Sequence, residues 1–451
     1  MKNNRIKLSD HFSYQRLIRF VLPSIAMTIF ISVYGVIDGV FVSNFAGKDA
    51  FTAINLIWPL PQLVAAFGFM IGTGGSALVA QMLGERRDEE AKASFTMLIS
   101  LTALFAGTVG ILGFLFIRQL GILVGASGVV LENCVVYGRI LFLFVPFYTL
   151  QYVFQSFLIV AEKPKLGLYV TVIAGVMNFI GDLLLIAIWK QGIIGAAAAT
   201  ALSQFTGAVL PLIYFARRND SLLQFTKFRF SWRFIKKTCI NGVSELFSNI
   251  SLSLVTIIYN MVLMKYFGDN GVDAYGVISY LNYVFVASFL GYSSGSAPIV
   301  AYHYGAQNTY EINNILKKSA VIITVGAIMM FGISGIFAKQ LASIFTSYDQ
   351  GLWNLTTHAM KIYCFYYLFC GYSIYMSSFF TALGNGPVSA VISFLRTFIF
   401  EVGFVLVLPG FFGSDGVWFS PVSAQAVSLL VSLFHLLRMN GKYRYLNIKE
   451  V

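Results

Sequence analysis

Four acidic residues of this 451-residue chain lie well inside apolar stretches long enough to cross a bilayer: Asp38, Asp182, Glu245 and Glu401. Placing a charge at the middle of a membrane helix costs about 2.5–3.5 kcal/mol. A side chain kept at that cost either pairs with an opposite charge, such as Arg139 or Arg396, or handles an ion. We expect a proton or cation site, and pairing with an arginine stays open as the structural alternative.

Two of these carboxylates have a hydrogen-bonding neighbour one helical turn away. Tyr34 precedes Asp38 by four residues, and Asn178 precedes Asp182 by four, so each pair lies on one face of its helix. Two carboxylates that meet in a low-dielectric environment cannot both ionise cheaply. Such a pair would load and release a proton, or hold a monovalent cation with oxygen ligands. That Asp38 and Asp182 are adjacent is a prediction, because spacing alone does not bring two helices together.

Pro23 lies fifteen residues before Asp38 in the same apolar stretch. A proline inside a helix removes one backbone hydrogen bond and permits a kink. Pro23 is interpreted either as a hinge whose bend follows protonation of Asp38 or as an ordinary proline near a helix start.

The composition excludes a soluble protein and gives no sign of an enzyme. Hydrophobic residues make up 57% of the chain and charged residues only 11%, against about 25% charged in soluble domains. The four cysteines and four histidines are scattered, without the spacing of a disulfide framework, zinc site or haem site. No catalytic constellation or phosphate loop is present. We therefore expect a membrane protein that is not an enzyme and has no metal or other cofactor.

The apolar stretches predict an all-α polytopic membrane protein. A bilayer core of about 30 Å needs about 20 apolar residues per helix. Twelve such stretches occur, near residues 17–42, 51–79, 93–117, 133–159, 167–189, 192–216, 239–264, 274–301, 318–338, 359–382, 387–409 and 416–438.

The distribution of basic residues predicts the orientation. With the N-terminus inside, the inner segments hold 23 lysines and arginines and the outer segments 6, while Arg139 and Arg396 fall within spans. This excess fits the positive-inside rule, with both termini cytoplasmic. The net charge of +12 is therefore an orientation signal, and nucleic acid is not expected as a partner.

The chain consists of two similar halves. Gly192, Gly195 and Gln204 recur with the same spacing as Gly413, Gly416 and Gln425, and "GGSALVAQMLG" (74–84) resembles "SGSAPIVAYHYG" (294–305). We expect an N-lobe (1–216), a cytoplasmic linker (217–238) and a C-lobe (239–451). The aromatic and basic linker favours a short interfacial helix. Two pseudo-symmetric six-helix lobes would be related by an axis along the membrane normal, with a central cleft between them.

Several segments resemble the multidrug and toxic compound extrusion (MATE) family. "LPSIAMTIFISVYGVIDGVFVSNFAG" resembles its first helix, and "NFIGDLLLI" followed by "GIIGAAAATALSQ" its fifth and sixth. "LGNGPVSAVISFLRTFIFEVGFVLVLPGFFGSDGVW" is similar to the eleventh helix and the loop after it, and "SAPIVAYHYGAQN" to the eighth helix of the MepA-like branch. The resemblance covers nearly the whole chain and implies the prokaryotic DinF/MepA-like branch.

The resemblance also implies a set of site residues. The family's N-lobe cation-coupling site is matched by Tyr34, Asp38, Tyr137, Asn178, Asp182 and Thr200, and its helix 1 proline by Pro23. NorM-like members place acidic residues on helices 7 and 10. Glu245 matches the first, but the tenth helix has no acidic residue. This favours the N-lobe set, with Glu245 and Glu401 as a secondary acidic site.

The resemblance implies a multidrug efflux antiporter that works by alternating access and is coupled to protons, sodium ions or both. Its partners would be the lipid bilayer and small organic substrates, mainly cationic and lipophilic. We expect a multi-pass monomer in the bacterial inner membrane. The alternative is a lipid-linked saccharide flippase of the same superfamily. That class needs a large cationic cleft, whereas only Arg139 and Arg396 lie within spans here.

Overall fold

The computed structural model describes residues 6–42, 48–346 and 349–446, and every regular element within these ranges is a helix. The chain ends, 1–5 and 447–451, lie outside the described residues, so the cytoplasmic location of both termini stays a prediction. The N-lobe consists of α1 (Tyr14–Phe41), α2 (Lys48–Ile57), α3 (Pro59–Gly84), α4 (Asp88–Leu123), α5 (Gly128–Val160), α6 (Pro164–Gly181) and α7 (Gly192–Ala216), with a π-helical segment (Asp182–Ile188) directly after α6.

We call the helices after the linker the C-lobe. It consists of α8 (Trp232–Phe267), α9 (Asp269–Gly305), α10 (Thr309–Ile336), α11 (Ala338–Thr346), α12 (Gln350–Tyr363), α13 (Tyr366–Ala382), α14 (Gly386–Phe394), α15 (Phe400–Val407), α16 (Pro409–Phe412) and α17 (Asp415–Tyr443), with a second π-helical segment (Leu395–Ile399) between α14 and α15.

Helix boundaries follow local chemistry. The side chains of Ser13, Ser231 and Asn308 each accept a hydrogen bond from a backbone N–H of the first turn of α1, α8 and α10, which satisfies donors that a helix start leaves free. Prolines occupy the first turn of α3, α6 and α14, where a missing N–H does no harm.

Eleven helical stretches in the described part of the chain are long and apolar enough to cross a membrane. They correspond to eleven of the twelve predicted spans. The predicted tenth span, near 359–382, is instead divided between α12 and α13, with a turn at Cys364 and Phe365. Each of these two helices is shorter than a bilayer requires. The multi-pass all-α fold is confirmed, and the difference lies in the continuity of this one span.

The linker between the lobes differs from its prediction. Residues 217–231 form no helix, so the short interfacial helix predicted there is wrong. Ser231 caps α8, which therefore begins at Trp232, inside the predicted linker. The linker is held by packing and hydrogen bonds, because Phe225 stacks on Phe95 of α4 and the backbone N–H of Thr226 donates to Thr96.

The two lobes meet along glycine-lined helix faces. A Cβ atom added at Gly84 of α3 would lie 2.0 Å from the Tyr302 carbonyl oxygen of α9, and one added at Gly305 of α9 would lie 2.0 Å from the Gln81 carbonyl oxygen of α3. These glycines end the two similar segments noted in the sequence. The repeat therefore provides a reciprocal close approach, as small residues do between membrane helices.

One end of the helical bundle carries residues 6–13, the linker and residues 444–446, and we call it the linker side. Here the N-terminal segment connects the two lobes. The backbone N–H of Leu8 donates to Glu162 of the N-lobe at 2.7 Å, and that of Phe12 donates to Glu311 of the C-lobe at 2.8 Å. Lys318 donates to the Phe12 carbonyl oxygen. The segment continues directly into α1, which contains Pro23 in its interior and Asp38 near its end.

Candidate cation-coupling site

The structure brings Asp38 and Asp182 together in the N-lobe. Asp38 lies near the end of α1, and Asp182 begins the π-helical segment after α6. Their carboxyl groups are in direct electrostatic contact. Asn178, one turn before Asp182, donates its side-chain N–H to Asp38 Oδ1 at 3.4 Å. The predicted adjacency of the two aspartates is therefore present in the fold.

Asp182 is the more deeply buried of the pair, with 1% of its surface exposed. Neither of its oxygens has a hydrogen-bond donor among the described residues. An ionised carboxylate in that position would lose its contact with water and gain no hydrogen bond or opposite charge in return, which costs free energy. A proton or a cation bound to the carboxylate would reduce this cost.

The remaining predicted residues surround the two aspartates. The Tyr34 hydroxyl interacts electrostatically with Asp38. Tyr137 of α5 interacts electrostatically with both aspartates and also with Thr200 of α7. All six predicted residues thus meet at one place, contributed by α1, α5, α6 with its π-helical segment, and α7.

Sequence reasoning missed a row of polar groups that continues from this site. Tyr34 interacts electrostatically with Tyr152. The hydroxyl of Tyr152 lies 3.1 Å from that of Tyr148, which donates to Gln62 Oε1 at 2.5 Å. Tyr148 and Tyr152 lie four residues apart on α5. The same one-turn spacing predicted that Tyr34 and Asp38 lie on one face of α1. These hydroxyl groups can both donate and accept, as a relay for protons requires.

The arginines within the spans do not pair with the two aspartates. Arg139 is exposed and its guanidinium lies 5.7 Å from the Phe114 ring centroid. No ion pair of Asp38 or Asp182 with Arg139 or Arg396 is present within the described residues. The pairing alternative therefore does not describe the N-lobe site.

The secondary acidic residues lie elsewhere and have a different environment. Glu245 of α8 and Glu401 of α15 are both in the C-lobe, and Arg396 interacts electrostatically with each of them. Gln425 of α17 donates to Glu401 Oε1 at 2.9 Å. Neither glutamate joins the N-lobe site, and within the described residues neither forms an ion pair with Arg396.

The donors at the N-lobe site suit a proton or a hard monovalent cation. Carboxylate, amide and hydroxyl oxygens are the ligands that such cations prefer. Among residues 6–42, 48–346 and 349–446, no group of three or more histidine, cysteine, aspartate or glutamate side chains could hold a metal ion.

Comparison with known proteins agrees with this architecture. The MatE family model matches residues 23–184 and again 246–407, once in each lobe. The multidrug export protein MepA of Staphylococcus aureus (strain NCTC 8325 / PS 47) is 24% identical over 432 residues, covering 94% of each chain. The MepA protein of Staphylococcus saprophyticus is 23% identical over 446 residues, covering 97% of each.

A solved structure described as the outward-facing conformation of a multidrug resistance MATE family transporter of the MOP superfamily has the same fold. It superposes with a TM-score of 0.91 at 21% identity, covering 98% of this chain and 99% of that one. This protein therefore belongs to the MatE family of membrane transporters.

Proposed function

We propose that this protein is a cation-coupled multidrug efflux antiporter that exports organic, mainly cationic and lipophilic compounds by alternating access. The observation that carries the proposal is the pair of neighbouring aspartates, the partly buried Asp38 and the buried Asp182, which have no arginine partner within the described residues. The printed names of the MepA relatives and the shared fold support the multidrug part of the proposal.

The coupling follows from electrostatics. With no ion bound, the aspartate pair carries negative charge that attracts a cationic substrate. A proton shared by Asp38 and Asp182 supplies the donor that the Asp182 oxygens lack, and it removes the charge that attracts the substrate. Ion entry and substrate exit are then mutually exclusive. Each charge that moves inward gains about 2.3 kcal/mol per 100 mV of membrane potential, in addition to the ion gradient.

Pro23 is proposed as the hinge through which α1 responds to the charge of Asp38. It lies buried within α1, fifteen residues before Asp38. Proline leaves the carbonyl group one turn earlier without its helical partner, so bending at this point disturbs fewer hydrogen bonds than bending elsewhere in α1.

We further propose a monomer in the bacterial inner membrane with both termini cytoplasmic. The linker side, which carries the basic linker, would then face the cytoplasm in agreement with the charge distribution. The flippase alternative is not favoured, because Arg396 faces two glutamates and Arg139 lies against Phe114. No cationic cleft for a pyrophosphate group results from these two arginines.

The test is ethidium transport in proteoliposomes under an imposed pH gradient and, separately, an imposed sodium gradient. We expect ethidium to move against its own gradient in at least one arm, and its movement to stop when an ionophore collapses the gradient. Transport in the pH arm alone identifies the proton as the coupling ion, and transport in the sodium arm alone identifies sodium. Transport in neither arm, by protein that is correctly inserted, would contradict the proposed function.

A further inference from the structure

A cavity of about 270 Å³ lies on the linker side, where α9 and α17 end and α10 begins. Six of the seven described residues that line it carry a hydrogen-bond donor in their side chains: Tyr304, Gln307, Thr309, Lys442, Tyr443 and Arg444. The seventh is the apolar Ile312, so no acidic side chain of the described residues lines the cavity. A wall made almost entirely of donors favours an anion as the ligand.

The cavity is also positively charged. Lys442 and Arg444 are both exposed, and neither forms an ion pair in the part of the chain that the structure describes. Glu85, an acidic residue that interacts electrostatically with Tyr304, pairs instead with Arg87 at 2.7 Å. The 28-residue helix α10 begins at this cavity and adds the partial positive charge of a helix start. The positive charge of the cavity is therefore available to a ligand.

The backbone that carries Arg444 is held in place on both sides. The rings of Tyr443 and Tyr304 pack edge to face, with their centroids 5.6 Å apart. On the other side Tyr445 is fully buried, and its carbonyl oxygen accepts a hydrogen bond from the side chain of Asn313 in α10 at 2.5 Å. Because the backbone at Arg444 is already ordered by these contacts, binding of a ligand would cost less entropy.

The size and the position of the cavity narrow the class of anion. Sites for drug-sized molecules usually enclose about 300–1,000 Å³, so this smaller cavity suits a compact group such as a phosphate with a short substituent. Arginine and lysine are the side chains that proteins use most to bind phosphate. The three helices that meet here are each long and apolar enough to cross the membrane, so their shared end lies near the level of the lipid headgroups.

We propose that this cavity binds a phosphate-bearing anion, with Lys442 and Arg444 as the charged contacts. The headgroup of an anionic phospholipid and a soluble phosphate compound share this chemistry, and basic pockets between membrane helices are known to take lipid headgroups. The ligand has the opposite charge to the proposed substrates, and the cavity uses other helices than the Asp38–Asp182 site. The inference therefore does not depend on the proposed efflux function.

Two titrations of the purified full chain in detergent test this inference. Native mass spectrometry measures the binding of phosphatidylglycerol, with phosphatidylcholine of the same acyl chains as the zwitterionic comparison, and calorimetry measures the binding of inorganic phosphate. We expect wild type to bind at least one of the two anions, and to prefer phosphatidylglycerol to phosphatidylcholine if the ligand is a lipid. The double variant Lys442→Gln, Arg444→Gln should weaken this binding by about tenfold, whereas Lys442→Arg, Arg444→Lys should keep it, because both charges remain.

The two titrations distinguish the sources of the phosphate. A loss confined to phosphatidylglycerol assigns the lipid headgroup, and a loss confined to inorganic phosphate assigns a soluble compound. The matched control, Lys227→Gln with Arg229→Gln, removes two positive charges from the exposed linker on the same side and should leave both affinities unchanged. Wild type that binds neither anion, or an equal effect in the cavity variant and the control, overturns the inference.

Discussion

At the residue scale, the surroundings of Asp182 indicate that its charge serves the function of the protein and not the stability of the fold. Its carboxylate is buried and accepts no hydrogen bond from the described residues, so a charge held there destabilises the fold. Buried charges that contribute nothing to folding are typical of functional sites. The neutral, equally sized asparagine should therefore be tolerated by the structure and should impair only the handling of ions.

We predict that Asp38→Asn and Asp182→Asn each reduce energised ethidium efflux at least about tenfold, because neither amide can take up a proton at neutral pH. For Asp182→Asn, the apparent melting temperature in detergent should equal or exceed that of wild type, because no native hydrogen bond is lost. Asp88→Asn, at the exposed start of α4, is the control and should transport normally. Normal efflux by either site variant would remove the aspartate pair from the mechanism.

At the element scale, the contact between α3 and α9 depends on residues without side chains. A Cβ atom at Gly84 would overlap the backbone of α9, whereas one at Gly107 of α4 has nothing within 4 Å. The same substitution can thus be made at two helical positions with opposite steric outcomes. Helices that pack backbone to backbone separate when a methyl group is inserted, and overpacking typically costs about 1–3 kcal/mol.

We predict that Gly84→Ala lowers the apparent melting temperature by several degrees, measured by a fluorescence thermal shift in detergent. Gly107→Ala should leave it unchanged or raise it slightly, because alanine in the middle of a helix is more stable than glycine by about 0.5–1 kcal/mol. Equal melting temperatures for the two variants would show that the lobes do not depend on this close approach.

At the scale of the whole molecule, residues 6–13 connect the two lobes through hydrogen bonds on the linker side. Glu311 accepts hydrogen bonds from the backbone N–H of Phe12 and from Asn314, and His11 Nδ1 lies 2.7 Å from its other oxygen. In the proposed alternating-access cycle the lobes separate on each side in turn, so contacts of this kind would break once per cycle. They would then set part of the free-energy difference between the two states.

We predict that Glu311→Ala increases hydrogen–deuterium exchange in residues 8–12 by about tenfold or more, because two or three hydrogen bonds to a charged acceptor are lost. Glu132→Gln is the control. It removes an exposed partner of Arg118 and should not change exchange in that segment. Unchanged exchange in Glu311→Ala would mean that packing of Leu8 and Phe12, both fully buried, holds the segment without the carboxylate.

The sequence by itself determined the properties that depend on local hydropathy and on one-turn spacing. The apolar stretches predicted the multi-pass helical fold, and the i, i+4 pairs Tyr34–Asp38 and Asn178–Asp182 identified two faces of the N-lobe site. The basic residues predicted an orientation, which stays a prediction. The linker helix was predicted wrongly, because Phe225 packs on Phe95 of another helix, a contact that composition does not reveal.

Only the tertiary structure decided which of these faces meet. It placed Asp38 beside Asp182, added Tyr148 and Tyr152 to the polar row, and divided the tenth span at Cys364. Among the described residues, Arg396 interacts electrostatically with the C-lobe glutamates, and neither N-lobe aspartate forms an ion pair with an arginine. The physical reason is that hydropathy and helical period act over one or two turns, whereas the contact of Asp38 with Asp182 joins residues more than a hundred positions apart.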